Sequence, residues 1–302
     1  MSSGGSRMTY EDRQWQSADG LTLYYRDYPG SGEATPLLCV PGLTRNARDF
    51  AALADRLSGS RRIIVAELRG RGLSDYAPDP MTYVPPVYAG DIIALLRQLD
   101  LGPVAWFGTS LGGIVAMLTG TFAPELIAGV LLNDIGPVIG PAGVARIASY
   151  AGKTSAGWPD WPAAADAQAA THAEAYPDYG PADWLEMAHR LCREKGDRIV
   201  TDYDPAIAIP FSLPPPDPAP DPWPLLDAFV DKPALLIRGA LSDILSAATA
   251  ERMAERLPLM ELLTLPRFGH APTLDEPECA PAIDRLLARI DAREGRTGPK
   301  QL

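Results

Sequence analysis

Apolar residues recur along this chain in two alternating rhythms. Short, nearly unbroken apolar runs occur at Pro36-Leu-Leu-Cys-Val40, Arg62 to Glu67, Val104 to Phe107, Gly129 to Asn133, Ala234 to Arg238 and Met260 to Leu265. Their length and content are those of strands buried on both faces. Between them lie stretches that are apolar at every third or fourth position. Asn46 to Leu57 carries Phe50, Leu53, Ala54 and Leu57, and Tyr88 to Leu99 carries Ile92, Leu95, Leu96 and Leu99. Further helices are predicted from Leu111, from Ser246 to Leu257 and from Glu278 to Ala292, with a short one near Trp223 to Phe229. Ahead of this series, Asp12 to Ser17 and Leu21 to Asp27 flank Ala18-Asp19-Gly20, which predicts a β-hairpin. Strands alternating with helices of about a dozen residues make a mostly parallel sheet covered on both faces, with ligands beyond the carboxyl ends of the strands.

The rhythm fails between residues 136 and 222. This segment is rich in Ala, Pro and aromatics, among them Trp158, Trp161, Tyr176, Tyr179 and Trp184. It holds helix-like pieces and no clear strand, so it reads as an inserted helical lid. Its return, Asp204 to Pro224, is dense in proline and predicts extended chain. The division that follows is a disordered leader over 1–12, an α/β core over 13–135 and 223–302, and a lid over 136–222. No internal repeat is present. Leu101 to Pro124 carries no charged residue, but Pro103, several glycines and the change of period at Gly108 argue against a membrane span.

With 302 residues, 46% of them hydrophobic, the chain can fill a sizeable core. Its formal net charge of −11 lacks the basic footprint that nucleic acid or an anionic membrane requires of a partner. Cys39, Cys192 and Cys279 are scattered without metal-ligand spacing, which predicts reduced thiols and no metal. Met1 to Met8 has no apolar stretch of the signal-peptide kind, and a cytoplasmic location is the expectation. The sequence leaves the oligomeric state open.

The chemistry centres on Gly108-Thr-Ser110-Leu-Gly112, which joins the apolar run at Val104 to the helix from Leu111. A serine on such a strand-to-helix turn is presented as a nucleophile, and the glycines two residues either side let strand and helix approach closely. A serine hydroxyl needs a histidine to accept its proton and an acid to orient that histidine. Of three histidines, His172 and His189 fall in the insertion, whereas His270 follows a core strand in Pro266-Arg-Phe-Gly-His270. His270 is therefore the expected base. For the acid, Asp243 follows the strand at Ala234 and precedes His270, the chain order usual for this kind of elbow. Asp134, in Leu131-Leu-Asn-Asp134, also ends a strand and is the alternative, although its Gly-Pro neighbours equally suit an Asx turn. Backbone N–H groups of Leu111 and of Leu43, the latter in Pro41-Gly42-Leu43-Thr44, are the expected oxyanion donors. Trp158, Trp161 and Trp184 are expected to line an apolar substrate pocket. Arg69, Arg71 and Ser74 read as a structural turn.

These segments together resemble the α/β-hydrolase superfamily, in its esterase- and lipase-like branch with a helical lid. The resemblance runs from about residue 13 to 293 through Gly108-Thr-Ser110-Leu-Gly112-Gly113, Arg69-Gly-Arg-Gly-Leu-Ser74, Arg238-Gly-Ala-Leu-Ser-Asp243 and Phe268-Gly-His270. It implies an eight-stranded, mostly parallel sheet with the lid between the sixth and seventh strands. Relatives usually carry His-Gly where this chain has Pro41-Gly42, so any help from that histidine is absent. The resemblance implies the fold and the triad without fixing a substrate; the expected function is a cofactor-free serine hydrolase acting on small to medium carboxylic esters through an acyl-enzyme. Hydrolysis of a carbon–carbon bond in a diketone, or of a lactone, would use the same groups. A ligand receptor that kept the fold and lost turnover is a third reading.

Overall fold

Four strands buried along their whole length form the spine of the molecule: β3 (Leu37–Val40), β4 (Ile63–Ala66), β6 (Ile127–Asn133) and β9 (Ala234–Gly239). Their apolar runs carry side chains into both faces of one sheet. The computed structural model describes residues 10–153, 156–213 and 220–296. In it, eight strands lie in the order β1-β2-β4-β3-β5-β6-β9-β10, with β1 (Glu11–Gln16), β2 (Thr22–Tyr28), β5 (Val104–Thr109) and β10 (Met260–Leu265) completing the set. The β1–β2 and β2–β4 pairings are antiparallel and all others in this sheet are parallel. Against one face pack α1 (Ala51–Leu57) and α8 (Cys279–Arg293); α2 (Pro85–Gln98), α3 (Leu111–Phe122) and α7 (Ala247–Arg256) cover the other.

Most predicted elements fall where the pattern put them, and the differences have local causes. The helix expected from Asn46 begins as a 3-10 turn, Ala47–Phe50, capped by the Asn46 side chain, before α1 proper. Helix α2 starts at Pro85, ahead of Tyr88, because proline is suited to the first helical turn. The expected leader over 1–12 falls mostly on residues outside those described, and β1 already begins at Glu11.

Between β6 and β9 the chain forms α4 (Pro141–Tyr150), α5 (Trp161–His172) and α6 (Pro181–Leu191). It also forms a hairpin, β7 (Cys192–Lys195) with β8 (Arg198–Thr201), where the sequence suggested no strand. Four of those eight residues are charged, Arg193, Glu194, Lys195 and Arg198, which masks the alternation. The stretch Pro205–Ser212 forms 3-10 turns and is not extended; the remainder of the proline-dense return lies partly outside the described residues. Ala164, Ala165, Trp184, Met187 and Ala188 give this segment its own small core. Polar ties bind it to the sheet: Asn46 Nδ2 donates to Arg190 O at 3.0 Å, and Tyr176 donates its hydroxyl to Ala271 O at 2.7 Å.

Candidate active site

Register brings the first two site residues together. Thr109 of β5 pairs with Asn133 of β6, so Ser110 and Asp134 are the next residues on adjacent parallel strands. Ser110 N–H donates to Asn133 O at 3.0 Å, and Asp134 N–H donates to Ile237 O at 2.7 Å, which carries the same alignment across to β9. Ser110 has φ 53° and ψ −116°, a backbone conformation that side-chain-bearing residues seldom adopt. The surrounding glycines make it possible. A Cβ on Gly112 would stand 1.9 Å from Val40 O, and one on Gly108 would stand 2.5 Å from Gly112 C.

His270, in the loop after β10, places Nε2 2.7 Å from Ser110 Oγ. Its Nδ1 lies 2.8 Å from Asp134 Oδ2. The carboxylate against the histidine is thus Asp134, and the expectation for Asp243 is corrected. Asp243 is instead held by Arg146 of α4, whose Nε and Nη2 donate to its two oxygens at 2.6 and 2.8 Å. That guanidinium holds the Asp243 carboxyl below its ordinary range. The physical reason is the turn after β9, which turns Asp243 toward Arg146 while Ser242 hydrogen-bonds Asp134. Ser242 Oγ donates to Asp134 Oδ2 at 2.6 Å, and Gly239 N–H donates to Asp134 Oδ1 at 2.9 Å. Asp134 is fully buried. A buried carboxylate accepting from a hydroxyl, a backbone N–H and a ring N–H is satisfied as an anion, which assigns the Nδ1–H tautomer and leaves Nε2 to accept from Ser110.

Leu43 and Leu111 both border the space above Ser110. Among the described residues, neither backbone N–H is engaged in a loop or cap hydrogen bond. Arg71 lies beneath this loop. Its Nε donates to Leu43 O at 2.8 Å and its Nη1 to Arg69 O and Tyr88 Oη at 2.6 and 2.9 Å. Arg69 is bound to Asp91 and Asp19. The Arg69–Ser74 turn is therefore internal scaffolding, and Arg71 sets the height of the Leu43 loop.

Two cavities meet at Ser110. One, about 340 Å³, is apolar, lined by Leu111, Ile114, Ile135, Ile139, Val144 and Phe211 among others. The other, about 60 Å³, is bordered by His270, Thr273, Arg45, Asp49, His172 and Arg190. None of Trp158, Trp161 and Trp184 lines either cavity: Trp184 is in the core of the inserted segment, with Trp158 and Trp161 packed on it. Trp161 lies against the ring of His189 at 3.9 Å between centroids, and neither borders Ser110's two cavities. His172, in the inserted segment, borders the polar cavity and meets Tyr150 edge to face at 5.3 Å. Burial, then the charges of Arg45 and Arg146, pull its pKa down to about 3, so this imidazole is neutral. Arg45, Arg146 and Ser242 were not singled out by sequence; their roles arise from contacts between distant segments.

A strained serine at a strand-to-helix turn, followed in space by a histidine and a buried carboxylate, sits at the carboxyl edge of an eight-stranded sheet. The model of the alpha/beta hydrolase family matches residues 37–280. The chain belongs to that family. Among curated alpha/beta hydrolases and their kin, it is 31% identical over 263 residues to a 3-hydroxybutyrate-oligomer hydrolase of Cupriavidus necator, covering 84% of this chain and 89% of that one. Among solved structures, an alpha/beta hydrolase of Novosphingobium aromaticivorans is 49% identical, with a TM-score of 0.89 over 94% of this chain and 100% of that one. A solved structure from Rickettsia typhi is 26% identical with a TM-score of 0.80, covering 93% and 99%. Hydrolytic activity on small molecules is the general class of this alpha/beta hydrolase. Among the described residues, no group of side chains could hold a metal ion and no helix is long and apolar enough to cross a membrane. All three cysteines are buried free thiols.

Proposed function

We propose that the protein is a serine hydrolase that cleaves small to medium carboxylic esters through an acyl-enzyme. The observation that carries this reading is the continuous chain of contacts Ser110 Oγ to His270 Nε2 at 2.7 Å and His270 Nδ1 to Asp134 Oδ2 at 2.8 Å. In this mechanism Ser110 attacks the ester carbonyl as its proton passes to His270, and Asp134 stabilises the imidazolium that forms. Negative charge gathers on the carbonyl oxygen, where the Leu43 and Leu111 N–H groups receive it; Leu111 also opens α3, whose dipole favours an anion there. His270 then gives its proton to the departing alcohol oxygen, and water releases the acyl group by the same steps in reverse order.

The name of the Cupriavidus necator relative makes short esters of hydroxy acids the first substrates to try. The apolar cavity suits a short aliphatic chain. Labelling by a fluorophosphonate, together with turnover of p-nitrophenyl butyrate, tests the reading. Labelling at Ser110 and ester turnover are expected. An unlabelled, inactive protein would place it with ligand receptors, and labelling with turnover only of a vinylogous diketone or a lactone would move it to another bond type.

A further inference from the structure

The two cavities that meet at Ser110 differ in a way the ester-hydrolase reading leaves unused. Only the polar one is bordered by His270, together with Ala271, Pro272 and Thr273. The departing oxygen must receive its proton from His270 Nε2, so the leaving alcohol belongs in the polar cavity and the acyl chain in the apolar one. The polar cavity is small, which limits the alcohol half to a few heavy atoms, whereas the apolar one admits a longer chain.

Charge gives the leaving half its chemistry. Arg45 and Arg190 border the polar cavity against a single carboxylate, that of Asp49. Asp49 takes the Nε and Nη2 hydrogens of Arg45 at 2.5 and 2.8 Å, which leaves Nη1 for a ligand. Arg190 is paired with Glu186, which is largely exposed, and stands 3.8 Å from Asp275. Arg45 is also close to the reacting serine: a Cβ built on Gly42 would lie 3.3 Å from Arg45 Cγ and 3.6 Å from Ser110 Cβ.

Resting on the ester-hydrolase reading, we infer that Arg45 anchors a carboxylate carried by the alcohol half of the substrate. The substrate is then an ester whose leaving group is itself a short hydroxy acid, with an uncharged acyl half. On a linear oligomer of hydroxy acids this fixes direction: the bond cut is the one next to the free carboxyl end, because only there is the leaving half a single hydroxy acid that fits the small polar cavity with its carboxylate close to the departing oxygen. In the step itself the Ser110 Oγ–acyl carbon bond forms, the acyl carbon–alkoxy oxygen bond breaks, and the His270 proton goes to the alkoxy oxygen. The hydroxy acid leaves with its carboxylate unchanged, and water later cleaves the acyl-serine.

Three esters separate the possibilities: 3-(butanoyloxy)butanoate, with the carboxylate on the alcohol half; 3-(butanoyloxy)butanamide, its neutral counterpart; and butyl hydrogen succinate, with the carboxylate on the acyl half. The expected kcat/KM order is the one just given, with the first at least about tenfold above the second and the difference lying mainly in KM. Arg45→Gln should collapse the first-to-second ratio toward one. Asp49→Asn, which removes the competing carboxylate, should raise it. Because each readout is a ratio within one protein, an overall loss of activity in a variant does not obscure it. Equal rates for the first two esters, preference for the succinate, or an unchanged ratio in Arg45→Gln would overturn the anchor while leaving ester hydrolysis standing. Failure to turn over any ester, p-nitrophenyl butyrate included, with no fluorophosphonate label, would remove the ester-hydrolase reading and the anchor with it.

Discussion

His270 Nδ1 lies 2.8 Å from Asp134 Oδ2, while Asp243, one strand further along the sheet, has both its oxygens taken by Arg146. Two carboxylates at neighbouring strand ends therefore have separate work, one buried against the histidine and one at a partly exposed ion pair between α4 and the core. Asp134→Asn should lower kcat by about four orders of magnitude, since an amide in that place favours the wrong histidine tautomer. Asp243→Asn should lower it by less than about tenfold, the scale of a partly exposed pair. Steady-state rates on p-nitrophenyl butyrate decide it, and the reverse ranking would return Asp243 to the role of acid.

Ser110 and His270 could be picked out because each is tied to a local signal, a Gly-x-Ser-x-Gly turn between strand and helix and a histidine just after a core strand. The choice between Asp134 and Asp243 depends on the turn that follows β9, where Ser242 hydrogen-bonds Asp134 and Asp243 turns to Arg146. No local pattern encodes that. The tryptophans misled for a related reason: aromatic content tells that a segment has something to bury, and in residues 158–184 it is the segment's own core that is buried. The hairpin β7–β8 escaped because three of the four residues of β7 are charged. Arg45 had no motif at all; its place beside Ser110 follows from the close approach of the Gly42 loop to the elbow.

The Leu43 loop is held from below by Arg71, whose Nε donates to Leu43 O. Arg71→Lys keeps the charge and loses the planar fork that also reaches Arg69 O and Tyr88 Oη. The expected result is a fall in kcat of about tenfold to a hundredfold, since a donor that drifts from the developing oxyanion loses part of its stabilisation. KM should move much less. A folded variant, judged by circular dichroism, with unchanged kcat would show that the loop holds its height without Arg71.

Two glycines in consecutive helices should respond oppositely to alanine. At Gly112 the new Cβ would meet Val40 O at 1.9 Å, a clash between backbones that side-chain motion cannot relieve. Gly112→Ala should therefore lose more than about 3 kcal/mol or fail to accumulate in soluble form. Gly90, on the exposed side of α2, has nothing within 4 Å of that position. Gly90→Ala should add about 0.5–1 kcal/mol by restricting the unfolded chain and improving helix propensity. Urea midpoints measure both; a stable Gly112→Ala protein would mean that strand and helix do not approach so closely.

His172 makes stability depend on pH in a defined direction. Its folded-state pKa is pulled down to about 3 by burial and by the charges of Arg45 and Arg146. In the unfolded chain the imidazole takes up a proton near pH 6.5. Between those values the unfolded state binds more protons than the folded one, so stability rises with pH across that window and is lost as pH falls from about 6.5 toward 3. The ring is only partly buried, so about 2 kcal/mol between pH 6.5 and 4 is a discounted expectation. His172→Gln removes the titrating group and should flatten this part of the curve. Urea denaturation at pH 7, 5.5 and 4.5 on both proteins tests it, and parallel curves would show that His172 takes up its proton as readily in the folded protein as in the unfolded chain.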